Sequence, residues 1–199
     1  MRREVYLVTK NKGKLKEVKD IFAPFSISVK SIYEVYDIGK VEEKGESYAE
    51  NALLKARAGF AKSGEISLGE DSGLEVDYLQ GAPGLYSARF GGENASSEDK
   101  ISLLLQLLQE VPPEERTARF VCVVALVWRG GEETFRGVCE GYIAEEPRGN
   151  AGFGYDPIFI FPEEGKTFAQ LGSEFKNRYS HRSLAFHQCA EFLAREVFH

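Results

Sequence analysis

Apolar residues recur along this chain with two spacings, and the spacing alone divides it into elements. Val5 to Thr9 is a short apolar run that predicts a buried first strand. Asn11 then predicts an N-cap for a helix that carries Leu15, Val18, Ile21 and Phe22 on one face and stops at Pro24. Ile27 to Ile32 reads as a second strand and Asp37 to Glu46 as an acidic loop. Ser47 and Glu50 form a capping-box pattern, followed by an apolar stripe of Ala49, Ala52, Leu53, Ala56 and Phe60 that Ser63-Gly64 closes. Gly81-Ala82-Pro83-Gly84 predicts a turn. Ser96 to Val111 predicts a capped, leucine-rich helix halted by Pro112-Pro113. Arg119 to Trp128 and Glu133 to Ala144 are β-rich runs joined at Gly130-Gly131, a hairpin signal. Pro157 to Phe161 is a further strand. Ser183 to Phe198 closes the chain as a helix with Leu184, Phe186, Cys189, Ala190, Leu193 and Val197 mainly inward. No repeat, low-complexity segment or linker interrupts the order. Helices alternating with strands early, and a hairpin in the middle, predict a mixed α/β sheet rather than a purely parallel one.

One stretch breaks the pattern. Ile66-Ser67-Leu68-Gly69 and Leu74-Glu75-Val76 read as strand, yet Glu70-Asp71-Ser72-Gly73 stands between them. Adjacent acids inside a strand are costly to desolvate unless something charged faces them. A metal ion, or a water to be deprotonated, would offset that cost. A solvent-facing bend with two hydrated acids is the plainer reading of these four residues.

Composition narrows the picture. The chain has 199 residues, ample for one large domain or two small lobes, and a formal net charge of -6. That balance argues against a general nucleic-acid binder, which needs a broad basic face, but leaves room for a small anionic substrate on a local basic cluster. The longest apolar run, Phe120 to Trp128, is too short for a membrane span, and the N-terminus lacks the apolar core of a signal peptide. Cys122, Cys139 and Cys189 are odd in number, lack metal-type spacing and read as reduced thiols. The expectation is a soluble, cytoplasmic protein that binds neither nucleic acid nor membrane.

Five further constellations carry candidate chemistry. Thr9-Lys10-Asn11-Lys12-Gly13-Lys14 lies at a strand-to-helix junction, where free amides and the helix dipole suit an anion, although no P-loop pattern is present. A capped helix with solvated lysines accounts for the same residues. Asn51 and Lys55 share one helix face; Lys55 either reaches a phosphate or snorkels on the surface. In Gly152-Phe153-Gly154-Tyr155-Asp156-Pro157, glycines expose an aromatic ring that can stack on a base, or else make a tight structural turn. Lys176 and Ser180-His181-Arg182 offer donors suited to a keto oxygen or a phosphate. Val41-Glu42-Glu43-Lys44-Gly45 gains interest only if the fold brings it near Asp71.

Taken in order, these segments resemble the inosine triphosphate pyrophosphatase family, which hydrolyses non-standard purine nucleoside triphosphates. The matching pieces are Thr9-x-Asn11-x-x-Lys14-x-x-Glu17, Ser47-Tyr48-x-Glu50-Asn51-Ala52-x-x-Lys55-Ala56 and Glu70-Asp71-Ser72-Gly73-Leu74. Then come Gly81-Ala82-Pro83-Gly84-x-x-Ser87-Ala88-Arg89, Gly152 to Pro157 and Ser180-His181-Arg182. The set spans nearly the whole chain, residues 1–199 as one domain. The resemblance implies a mixed, elongated central sheet with flanking helices, two lobes around a nucleotide cleft, and a homodimer. It implies cleavage of the α-β phosphoanhydride of ITP, dITP or XTP, with Mg²⁺, to the monophosphate and pyrophosphate. By position, Thr9, Lys10, Asn11, Lys12, Gly13 and Lys14 would line the triphosphate site. Glu42 would be a metal ligand, Asp71 the general base or a metal ligand, and Ser72 a substrate contact. Phe153, Gly154, Tyr155, Asp156, Lys176, His181 and Arg182 would hold the base and its neighbouring groups. Two departures stand out: Lys10 occupies a position where the family often has a small residue, and Glu70 one where many members have Asp. Glu70 is the runner-up metal ligand.

On this reading a water attacks the α-phosphorus, with Lys14 and Lys55 neutralising charge. Donors from His181 or Arg182 would pair a 6-keto oxygen and repel adenine's amino group, and a second base position must reject guanine. Two alternatives are a pyrophosphatase for modified pyrimidine triphosphates and a non-catalytic nucleotide-binding module.

Overall fold

The computed structural model describes residues 3–198. They form a mixed sheet of seven strands in the order β2-β1-β3-β4-β5-β6-β7 with flanking helices. The chain divides into two compact units. Unit 1 holds the chain up to Asp71, Cys122–Gly137 and the chain from His181; unit 2 holds Ser72–Val121 and Val138–Ser180.

In unit 1, β1 (Glu4–Leu7) pairs in parallel with β2 (Ser28–Ser31) and with β3 (Ser67–Val76), whose first half lies here. Helix α1 (Lys12–Phe22) connects β1 to β2, as a parallel pair requires. β4 (Thr117–Trp128) explains its own unbroken apolar run by period-two alternation. Cys122, Val124 and Leu126 pack with Val18, Phe22 and Phe186 on one face, while Val123, Ala125 and Val127 pack with Ala52 and Ala56 on the other. A strand buried on both faces has no polar alternate positions to show. The first face is covered by α1 and α5 (His181–Phe192), which meet at Phe22 and Phe186 with ring centroids 5.9 Å apart. The second is covered by α2 (Tyr48–Ser63).

In unit 2, β5 (Gly131–Ile143, its second half here), β6 (Phe159–Phe161) and β7 (Lys166–Thr167) are antiparallel neighbours. Phe120, Phe159 and Phe168 stack at its centre, with centroids 4.5 Å apart for the first pair and 5.1 Å for the second. Helix α3 (Ser97–Leu107) is opened by the Ser96–Asp99 capping box. Its C-terminal end is satisfied by buried Arg116, which donates to the carbonyls of Leu108 at 2.7 Å and Val111 at 2.9 Å.

The predicted caps at Asn11, Ser47 and Gly64 are present. The Ser47 box differs in its return arm: Glu50 accepts from the amide of Glu46, not of Ser47. Three expectations are corrected. The stretch from Glu70 to Gly73 is not a bend; β3 runs straight through it. Leu184 is exposed, because α5 begins at His181 and its inward face is taken by Ala185, Phe186, Cys189 and Ala190. Strand β7 and helix α4 (Phe168–Tyr179) occupy a stretch in which the apolar spacing predicted no element.

Candidate active site

Among the described residues, buried charged side chains gather around Glu70 and Asp71 in unit 1 and around Asp156 in unit 2. In unit 1 the geometry starts from the alternation of β3. Glu70 and Asp71 are consecutive, so they emerge on opposite faces of the strand. Glu70 enters the face that carries Cys122, and Asp71 the face covered by α2.

Glu70 is 5 % exposed and is surrounded by donors. Lys14 Nζ lies 2.6 Å from its Oε2. Arg182 donates to its Oε1 from Nε at 3.2 Å and Nη2 at 2.9 Å. The Cys122 thiol donates to the same oxygen at 3.7 Å. Arg182 is also bound to Glu17, Nη1 to Oε2, at 2.7 Å. Burial alone would raise the Glu70 carboxyl, but Lys14 and Arg182 outweigh it and hold the group well below the usual carboxylate range. The Cys122 thiol is pushed up, first by burial and then by Glu70.

Asp71 meets a different set. Asn51 Nδ2 donates to its Oδ2 at 3.1 Å, and Lys55 Nζ stands 3.4 Å from its Oδ1. Lys55 also donates to Glu43 Oε1 at 3.0 Å. Asn51 accepts from the amide of Gly45 at 2.8 Å, which ties the acidic loop to α2. Gly69 makes this approach feasible: a Cβ there would lie 2.0 Å from the carbonyl oxygen of Ala52 and 2.9 Å from Lys55 Cβ. Burial raises the Asp71 carboxyl, Glu43 and Glu70 add to the rise, and Lys55 and Asn51 only partly offset it. Burial pulls the Lys55 ammonium down, but Asp71, Glu43 and Glu70 together raise it, so it stays charged.

The junction between β1 and α1 is held locally. Ser31 Oγ donates to the carbonyl of Thr9 at 2.7 Å, the Asn11 amide to Thr9 Oγ1 at 3.1 Å, and the Lys14 amide to Asn11 Oδ1 at 3.1 Å. The amides of Lys12 and Gly13 are the remaining donors of the first helical turn. Unit 1 thus gathers the cations Lys14, Lys55 and Arg182 against the carboxylates of Glu17, Glu43, Glu70 and Asp71. The balance is negative on the carboxylate side, and the donors there are hard oxygens, which suits Mg²⁺. Among the described residues no three His, Cys, Asp or Glu side chains form a ready-made metal cage. An ion that keeps several waters and takes one or two carboxylates plus phosphate oxygens needs none.

In unit 2, Asp156 organises the loop between Gly152 and Pro157. Its Oδ2 accepts from the Phe153 amide at 2.8 Å and from Lys176 Nζ at 2.7 Å. Lys176, 2 % exposed, also lies 4.8 Å from the centroid of the Phe153 ring. Gly152 has φ +81, and a Cβ there would stand 2.0 Å from Asp156 Oδ2, so a glycine is required for the loop to close on the carboxylate.

The sequence-predicted residues are therefore not equally placed. Thr9 to Lys14, Lys55, Asp71, His181 and Arg182 belong to unit 1; Ser72, Phe153 to Asp156 and Lys176 belong to unit 2. Lys55 is buried, not snorkelling. Glu42 is not brought to the cluster: its exposed carboxylate pairs with Lys44, and its neighbour Glu43 makes the contact with Lys55. Arg182 is not an open donor for a base, since its guanidinium is committed to Glu17 and Glu70. Glu70 is engaged by Lys14 and Arg182, which makes it an anchor for both. Tyr155 is a core residue whose hydroxyl donates to the Ser87 carbonyl at 3.0 Å. Sequence reasoning gave no role to Glu17 beyond its place in a motif, and none to Asn51 at Asp71. Glu17 was findable, because it lies one turn beyond Lys14 on the same face of α1.

A model of the Ham1 family matches residues 5–192. The dITP/XTP pyrophosphatase of Desulforamulus reducens is 47% identical over 197 residues, 98% of this chain and 98% of that protein. The dITP/XTP pyrophosphatase of Bacillus subtilis is 44% identical over 96% of this chain and 97% of that protein. The solved structure of a HAM1 protein from Coxiella burnetii superposes with a TM-score of 0.86 at 37% identity, covering 96% of this chain and 98% of that one. The Staphylococcus aureus Ham1 protein gives a TM-score of 0.85 at 40% identity, covering 96% and 97%.

Proposed function

The chain belongs to the Ham1 family, and from that premise we propose that it hydrolyses dITP, XTP and ITP to the nucleoside monophosphate and pyrophosphate. The observation that carries the chemistry is Asp71. It is a buried carboxylate with a raised proton affinity, fixed by Asn51 and Lys55 in the same unit as a cationic helix start. A general base works best when its proton affinity lies near the working pH, and burial moves Asp71 in that direction.

A water adds to the α-phosphorus and gives its proton to Asp71; the α-β anhydride bond breaks and pyrophosphate leaves. Lys55 keeps the Asp71 carboxylate oriented and balances charge on the α-phosphate. Lys14, with the first-turn amides of α1, holds the leaving phosphates. Asp71 and the Glu42–Glu43 segment, through Glu43 as it stands here, are the residues to hold Mg²⁺, which would neutralise phosphate charge. Phe153 stacks on the base, and Lys176 and Asp156 fix that ring. The homodimer rests on the family resemblance, and the cytoplasmic location on the reading of the N-terminus and of the three cysteines as reduced thiols. The absence of nucleic-acid partners rests on the net charge of -6, and no helix among the described residues is long and apolar enough to cross a membrane.

The test is pyrophosphate release from ITP, XTP, dITP, GTP, ATP and modified pyrimidine triphosphates. The first three are expected to turn over fastest, and Asp71→Asn to lose about 10²–10⁴-fold in kcat. Preference for a pyrimidine, binding without product, or near-normal turnover of Asp71→Asn would each overturn the proposal.

A further inference from the structure

Asn51 holds two elements at once without carrying a charge. It lies on α2, 3 % exposed, and the two ends of its amide face different partners. Oδ1 accepts from the Gly45 amide, in the acidic loop, at 2.8 Å. Nδ2 donates to Asp71 Oδ2, on β3, at 3.1 Å. These partners fix the orientation of the amide, since a backbone N–H only donates and an ionised carboxylate only accepts. Exchanging its two ends would set donor against donor and acceptor against acceptor. An ionised Asp at this position would lack the donor, and Leu would lack both groups.

Lys55, one turn along α2, makes a parallel link. Its Nζ lies 3.4 Å from Asp71 Oδ1 and 3.0 Å from Glu43 Oε1. Each oxygen of Asp71 is therefore tied through an α2 side chain to the same loop. Oδ2 is tied through Asn51 to Gly45, and Oδ1 through Lys55 to Glu43. The two links respond differently to an anion. Lys55 is a cation and turns part of its hydrogen bonding to an arriving phosphate. Asn51 has no charge to offer a phosphate, so its bonds to Gly45 and Asp71 persist. The loop is shaped for this contact. A Cβ on Gly45 would lie 2.6 Å from Glu50 Cβ and 2.8 Å from Asn51 Oδ1, so a glycine brings the amide this close. The next amide, of Glu46, donates to Glu50 at 2.8 Å, and Ser47 caps α2, which pins the loop over three successive residues.

We propose that Asn51 is a positioning residue for the hydrolysis, acting through Asp71. The proposal rests on the reaction assigned above and deepens it. With Oδ2 held by an amide that the substrate does not displace, the carboxylate cannot rotate, and Oδ1 is the oxygen presented to the attacking water. The same amide keeps the Glu43 loop in register with Asp71 while Lys55 turns to the phosphate. Asn51 itself does not touch the substrate.

Two variants separate the two ends of the amide. Asn51→Asp keeps the shape and the acceptor for Gly45 but removes the donor to Asp71; Asn51→Ala removes both. The measurements are kcat and KM for ITP with saturating Mg²⁺, and hydrogen exchange of the Gly45 amide without nucleotide. Both variants are expected to lose about 10–100-fold in kcat, with KM within about threefold of wild type. Gly45 exchange should quicken about tenfold or more in Asn51→Ala and stay near wild type in Asn51→Asp. In an Asp71→Asn background, adding Asn51→Asp should lower kcat by less than about threefold, because its effect runs through the missing carboxylate. Wild-type kcat in Asn51→Asp, or a loss that adds in full to that of Asp71→Asn, overturns the proposal. Gly45 exchange as fast in Asn51→Asp as in Asn51→Ala overturns it as well. Near-normal turnover of Asp71→Asn alone instead sinks the reaction assignment, whereas normal Asn51→Asp beside an impaired Asp71→Asn sinks only the role of Asn51.

Discussion

Glu70→Gln separates a structural anchor from a catalytic acid at adjacent positions. The substitution keeps the size and one acceptor of the side chain and removes its charge. Two cations lose a partner, but not equally. Arg182 is 3% exposed at its side chain and keeps its pair with Glu17; Lys14 is 21% exposed and recovers part of its hydration. Removing one member of a buried ion pair costs about 3–5 kcal/mol, and a partly solvated pair adds at most about 1 kcal/mol. Because Glu17 remains, the lower end applies, and a loss of about 3 kcal/mol is expected at pH 7.5 in urea denaturation without nucleotide. The sign of the pH dependence follows from Glu70's lowered proton affinity. Its ionised form stabilises the folded state above the unfolded value, near 4.5, and that contribution is lost as pH falls through the folded value. The gap between wild type and Glu70→Gln is therefore full at neutral pH and closes only well into the acid range. A double-mutant cycle with Arg182→Met should return about 1–3 kcal/mol of coupling. A Glu70→Gln protein within about 1 kcal/mol of wild type at pH 7.5, or a gap that does not change down to pH 3, would refute the anchor role.

Asp71→Asn behaves oppositely. Its carboxyl is raised on folding, so its ionised form costs stability at neutral pH, and the variant should melt no lower than wild type while losing turnover. Gly69→Ala should cost about 3 kcal/mol or more by thermal melting and lower kcat with it. The new Cβ would fall 2.0 Å from the Ala52 carbonyl oxygen and push α2, with Asn51 and Lys55, away from Asp71. Lys176→Met removes from buried Asp156 the cation that donates to its Oδ2 and leaves the Phe153 amide donating to the same oxygen. A loss of about 3 kcal/mol and a raised KM for ITP, with kcat little changed, are expected; an unaltered KM would separate Lys176 from the base.

The elements that were legible in the sequence are those whose cause is local. Asn11, Ser47, Ser96 and Gly64 end helices through contacts within four residues, and each cap is where its residue type predicts it. Helix α4 had such a signal as well. Thr167 and Gln170 form a reciprocal capping box. The helix is broken at Gly172, though, so neither half is long enough to show a stripe. Lys55 failed for a different reason. Spacing placed it beside an apolar stripe, where a lysine ordinarily snorkels. What buries it is Asp71, sixteen residues away on another element, and Glu43 in the acidic loop. No periodicity reports a partner at that distance.

Glu70 and Asp71 show where the limit lies. As residue types they are near equivalents, and a pattern can mark the pair without ranking its members. Their difference comes from strand parity. One position along β3 sends a carboxylate toward Lys14, Arg182 and Cys122; the next sends one toward Asn51 and Lys55. Three donor groups converge on Glu70, hold it ionised and tie it to the framework. The face that receives Asp71 supplies less compensation and one further acid, Glu43, to which Glu70 adds its charge from the other side of the strand; this leaves Asp71 the more basic carboxylate and able to take a proton. The same logic separates Glu42 from Glu43, of which only the second reaches Lys55. In both pairs the chemistry is assigned by which face a residue occupies, and the face is set by pairings made elsewhere in the chain: Gly69 against α2, and Gly45 against Asn51. Function here is carried by the register of two short segments, a property that residue identity constrains only through those distant contacts.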